Sequence, residues 1–150
     1  MKKKALITLG AAAVLALSIN TSAKAVLIDR PTRAAEFYKE PAVVRCTCYI
    51  DRGITASGQQ TRPGIIAGRK EWIGKVAALY RIENGKIGTF LGYYEFLDTG
   101  AGMDSDGDGR GDTIREGYSV DVWQPSMADA RAWIRENGDY IYMQIIDGKG

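Results

Sequence analysis

The sequence predicts a mainly β fold: a small closed barrel of six short strands, with one helix in the C-terminal half. Three observations lead there. Short runs rich in β-branched and aromatic residues recur along the chain, separated by glycine-rich connections. An Asn-Gly turn at residues 84–85 joins two of them. One segment alone carries both a helix-start and a helix-stop signal.

The elements follow in order. Residues 1–25 hold three lysines, then an apolar run from Ala5 to about Ile19, then Ala-Lys-Ala. This is the layout of a secretory signal peptide cleaved after Ala25, with an uncleaved N-terminal anchor as the alternative, and the apolar run is short of the roughly 20 residues a membrane span needs. Residues 26–41 are charged, end in proline and read as a leader outside the core. Strands are expected at 43–50, 64–68, 74–82, 89–97, 118–123 and 139–146. In the fourth, period two places Phe90, Tyr94 and Phe96 on one face. In the fifth it places Val120 and Val122 on one side, Asp121 and Trp123 on the other. In the last it aligns Ile141, Met143 and Ile145. Between these two strands Ser126 caps a helix, with Asp129 at the third helical position, Met127, Ala130 and Ile134 as its apolar stripe and Gly138 as its stop. One domain, residues 42–150, therefore follows the leader.

Charge narrows the function classes. The precursor has 20 basic and 18 acidic residues, but four of the lysines lie in the first 25 residues. The mature chain keeps 16 basic against 18 acidic, a net charge of −2, so electrostatic support for nucleic-acid binding disappears. No stable membrane anchor is expected after cleavage, and the destination is extracellular. There is no histidine, which removes Ser-His-Asp and Cys-His hydrolysis. Cys46 and Cys48 are too few for a zinc site. They read either as two thiols on one strand face or as a strained redox-active bridge, since residues i and i+2 sit near the limit for bonding.

Residues 98–123 concentrate six aspartates and one glutamate. Asp104, Asp106, Asp108 and Asp112 occupy positions 1, 3, 5 and 9 of DSDGDGRGD, with Gly109 at position 6 and the Arg110 carbonyl available at position 7. Alternate aspartates and a turn glycine suit calcium in a structural role, although Arg115 at position 12 excludes an EF-hand. The spacing is similar to nine-residue D-x-D-x-D-G-x-x-D calcium loops of extracellular proteins. A solvated Gly/Asp loop is the alternative. Of the other acids, Asp98 ends an aromatic strand where a turn begins, while Asp121 sits mid-strand, where aspartate has poor propensity and wants a partner or a task.

Three ordered pieces then resemble the 3D (three-aspartate) domain, a double-psi β-barrel of secreted cell-wall enzymes with a related form in membrane-bound lytic transglycosylase A. CTCYIDRGITASG (46–58) is similar to its opening strand and T-A-[ST]-G loop, DTGAG (98–102) to its D-T-G-G, and EGYSVDVW (116–123) to its K-G-x-x-I-D segment. The likeness covers roughly residues 42–147. It departs twice: the acidic loop is an insertion, and Gly68 and Arg69 stand where the first family aspartate is expected, with Glu71 as the nearest substitute. The resemblance implies cleavage of β-1,4 glycosidic bonds in peptidoglycan glycan strands by a lytic-transglycosylase mechanism that requires no cofactor. Asp121 is the expected acid/base, Asp98 the neighbour that raises its pKa, and Thr55, Ser57 and Trp123 the substrate contacts. A non-catalytic cell-wall binding module is the alternative.

Overall fold

A computed structural model describes residues 37–146. The expected signal peptide at 1–25, the leader residues 26–36 and the last four residues lie outside the described residues. In chain order the elements are β1 (Ala42–Tyr49), β2 (Ile65–Gly68), a 3-10 turn (Lys70–Trp72), β3 (Val76–Glu83), β4 (Lys86–Thr99), β5 (Ser119–Trp123), α1 (Met127–Asn137) and β6 (Tyr140–Ile146). The six strands close into a ring in the order β1-β5-β2-β4-β3-β6. Two neighbouring pairs, β1 with β5 and β2 with β4, run parallel, and the remaining pairs are antiparallel. Among the described residues the fold is mainly β, with six strands and one α-helix, as the sequence predicts.

Period-two patterning builds the interior. Val44 and Cys46, Val120 and Val122, Ile141, Met143 and Ile145 all turn inward and are almost fully buried. The β3–β4 hairpin turns at Asn84 and Gly85, both with positive φ, which matches the mirror-image turn that suits the twist of paired strands. This tight turn lets β4 begin at Lys86, three residues before the expected start. Trp72, on the 3-10 turn, closes one end of the barrel. Its indole lies 5.2 Å from the Phe96 ring and 5.7 Å edge-on from Phe37. Phe37 is fully buried, so the end of the expected leader is part of the core rather than outside it.

Helix α1 starts and stops where its caps require. The Ser126 hydroxyl accepts from the Asp129 N–H at 3.1 Å, and the Gly138 N–H returns to the Ile134 carbonyl. Its inward face differs from the expected stripe. Ala130 is buried and Trp133 packs on the core, whereas Met127 is half-exposed. Among the described residues no helix is long and apolar enough to cross a membrane.

Candidate active site

The site sits on the outer face of the barrel wall, where the register lines up one row across four strands. Thr47 on β1 pairs with Asp121 on β5, Asp121 with Ala67 on β2, and Ala67 with Asp98 on β4. Two strand spacings therefore separate the α-carbons of the two aspartates, about 10 Å. Neighbours in such a row point to the same side of the sheet. The small Ala67 side chain between them leaves open space, and both aspartates line a cavity of about 460 Å³.

Asp98 reaches this row only because the β2–β4 ladder slips by one residue. Ile66 pairs with Phe96, but Ala67 pairs with Asp98, so Leu97 is the extra residue of a bulge. Without the slip, Asp98 would share the face of Phe96 and point into the barrel. The loop at 54–60 then fixes its carboxylate. The Ala56 and Thr99 N–H groups donate to Oδ1, each at 3.0 Å, and the Tyr49 hydroxyl donates to Oδ2 at 3.1 Å. Tyr49 keeps its proton for the same reason: burial first, then the Asp98 charge, push its pKa well above the ordinary value.

Asp121 has a different environment. Its carboxyl is mostly withdrawn from water and accepts one side-chain hydrogen bond, from Thr47 Oγ1 at 3.0 Å. Burial, opposed by that bond and aided by the charges of Asp51 and then Asp98, raises its pKa to about 6. The expected influence of Asp98 is present, but it follows burial and Asp51. Asp51 also lines the cavity and is the third carboxylate there. A carboxyl that holds its proton near neutrality beside an open cavity can donate it to a leaving oxygen and then accept one back.

The expected substrate contacts lie elsewhere. Thr55 is buried, and its hydroxyl meets that of Ser57 at 2.9 Å and accepts from the Gln59 N–H at 3.3 Å. Neither lines the cavity. Both spend their polar atoms shaping the loop that delivers the Ala56 N–H to Asp98. Trp123 shares its strand side with Asp121, yet its ring is only 6% exposed, packed against Ile65 and Leu97. No sugar can stack on it there. Its indole N–H donates to the Asp51 carbonyl at 2.8 Å, so its task is to place Asp51.

Two further expectations are settled by packing. A side chain at Gly68 would put its Cβ 2.5 Å from the Phe96 ring and 2.9 Å from Trp72, so no aspartate fits there without displacing both rings. Glu71 does not substitute: it is exposed, pairs with Arg69 at 3.2 Å and stays off the cavity. Cys46 and Cys48 are free thiols that face the core. Burial above all raises both pKa values, that of Cys48 to about 12, which leaves little reactive thiolate.

In the acidic loop, Asp104, Asp106 and Asp108 bring carboxylate oxygens within 4.8 Å of one another, all exposed. Asp104 is held by the Gly107 and Gly109 N–H groups, at 2.7 and 2.8 Å, and the bond from Gly109 is the main cause of its lowered pKa. The Arg110 N–H donates to Asp108. Asp112 does not join them. It is buried, and both its oxygens accept from Ser105, the shortest contact being 2.8 Å from the hydroxyl.

No family model matches the chain, and no curated protein matches it either.

Sequence reasoning missed Thr47, Tyr49 and Asp51. The available signal was the polar half of β1: with Cys46 and Cys48 inward, Arg45, Thr47 and Tyr49 must line the opposite face.

Proposed function

We propose that this protein is a secreted, cell-wall-associated enzyme that cleaves β-1,4 glycosidic bonds of peptidoglycan glycan strands, with Asp121 as its acid/base, on a barrel of the double-psi kind. One observation carries the reading: a carboxyl with its pKa near 6, bonded to one threonine, opening on a cavity large enough for a sugar. In this mechanism protonated Asp121 donates to the glycosidic oxygen as the bond to the anomeric carbon breaks. The C6 hydroxyl of the same sugar attacks that carbon, and the Asp121 carboxylate takes the hydroxyl proton. The products are a 1,6-anhydro sugar end and a new free hydroxyl. A second carboxylate acting on water is not needed, unlike in ordinary glycosidases. Asp98 and Asp51 keep the site negative, which favours the protonated form of Asp121 and the positive charge that develops on the sugar.

Replacing Asp121 with asparagine should abolish release of anhydro-muropeptides from purified cell walls while the circular-dichroism spectrum stays the same. Full activity in that variant overturns the reading. The filled space at Gly68 favours a second reading, a binding module without catalysis, because the first family aspartate has no place to stand. Such a module would co-sediment with peptidoglycan and never clear a turbid cell-wall suspension.

The same proposal takes the 104–112 loop as a structural calcium element at the rim. Asp104, Asp106 and Asp108 would supply hard oxygen ligands suited to that ion, with Asp112 holding the loop closed through Ser105. Adding calcium to chelator-treated protein should raise the melting temperature, as any ligand of the native state does. The rise should vanish in Asp106→Asn/Asp108→Asn, and an unchanged melting temperature in the parent rules the element out.

A further inference from the structure

Arg45 stands on β1 two residues before Thr47, beside Ser119 of β5 and Tyr140 of β6. Its side chain lines the same cavity as Asp121. A guanidinium has five donors and no acceptor, so covering any of it without partners is costly. Here Nε is buried with no hydrogen-bond partner. Nη1 is directed at the Met103 thioether, a weak acceptor at the end of a flexible, exposed side chain. None of the ion pairs among the described residues includes Arg45. An aspartate in the same cavity would be a natural partner, yet the charges acting on Asp121 are those of Asp51 and Asp98.

We infer that Arg45 anchors a carboxylate carried by the substrate, in a subsite next to the bond that Asp121 cleaves. This rests on the peptidoglycan reading and names the group the cavity recognises. Arg45 pairs with Ser119, two residues before Asp121 on β5, so its α-carbon lies diagonally about 8 Å from that of Asp121, and an anion on Arg45 and a reacting oxygen on Asp121 belong to one ligand without competing for one place. The guanidinium fork matches a carboxylate with two parallel hydrogen bonds, and the thioether yields to it at little cost. Glycan strands offer carboxylates from two sources. One is the lactyl group of a muramyl sugar without peptide; the other is the set of free carboxyls on an attached peptide.

The test uses the full mature chain carrying Asp121→Asn, so that strands are bound and not cut. Its affinity is measured for three soluble glycan preparations: peptide-free strands, peptide-bearing strands, and peptide-free strands with every carboxyl converted to the neutral methylamide. With Arg45 intact, at least one charged preparation should bind tenfold or more tightly than the neutral one, and which one does identifies the source. Arg45→Gln should remove that advantage and leave neutral strands unaffected, while Arg45→Lys, which keeps charge and loses the fork, should fall between. Equal affinity of the parent for charged and neutral strands overturns the inference, and this comparison needs no folded Arg45 variant. So does equal binding by parent and Arg45→Gln when their melting curves coincide. Should Asp121→Asn retain lytic activity while Arg45→Gln still loses the charged strands, the chemistry at Asp121 is wrong and the anion subsite stands. Absence of binding to all three strands, with Arg45 present, refutes both.

Discussion

Asp121 shows how a single side chain ties function to stability. Its pKa is about 6 in the folded protein, against roughly 4 for a free carboxyl. Between those two values the native state holds the proton and the unfolded chain releases it. This contribution therefore favours folding at low pH and is lost as pH rises from 4 through 6. Asp121→Asn should consequently be the more stable protein at pH 7, by on the order of 2 kcal/mol in urea titrations, with the advantage gone below pH 4. Activity has the same origin. In the proposed mechanism about one molecule in ten carries the Asp121 proton at pH 7, and the rate should drop about tenfold for each further unit. Neighbours should move this alkaline limb in opposite directions. Asp51→Asn removes a like charge and should shift it to lower pH; Thr47→Val removes the bond that favours the carboxylate and should shift it to higher pH. Profiles that shift together, or not at all, would show that another group sets the limb. Asp121 was legible in the sequence because a mid-strand aspartate is out of place. For Thr47 and Tyr49 only the side of the strand was legible, because polar positions alternating with the cysteines look like ordinary solvent-facing strand.

At the level of elements, strand positions could be read from composition, but facing could not be read wherever a ladder slips. Two of the three slips along β4 carry most of this. One, at Leu97, turns Asp98 out of the barrel and into the row that holds Asp121. The other lies where β3 pairs Leu79 with Gly92 and then Tyr80 with Phe90. Strict alternation placed Phe90 with Tyr94 and Phe96; the slip instead sends it to the surface, half-exposed, with its ring 5.3 Å from that of Tyr80. No local sequence signal marks the slip at Leu97, whereas the second falls at Gly92, a mid-strand glycine with positive φ that is itself a bulge signal. The packing at the end of β2 is equally a tertiary fact. Gly68→Ala should destabilise the fold by about 1–3 kcal/mol, because its Cβ has to push aside Phe96 and Trp72. Equilibrium denaturation measures this directly. Gly68→Asp, whose side chain is larger and charged, should cost more.

For the molecule as a whole, the ring turns both cysteines inward, Cys46 fully buried and Cys48 partly. They line the inner wall, so a thiol reagent reaches Cys46 when the barrel opens and not before. Labelling of Cys46 should track global unfolding in denaturant, with Cys48 reacting somewhat earlier because it is less deeply covered. Labelling of Cys46 at the rate of a free thiol in buffer would mean that this wall breathes independently of the rest. The overall architecture was legible from the number of short strands and the one capped helix. Strand order was not, since two parallel pairs between distant segments leave no local trace.

Because β3 bonds to β6, and β6 to β1, the sheet has no outermost strand. A polymer crossing the wall of this barrel meets no row of open amide and carbonyl groups that could zip onto it as an added ribbon. A ligand on this face therefore meets side chains and the loop backbone of Gly100 and Gly102, which line the cavity, and it gains no added strand.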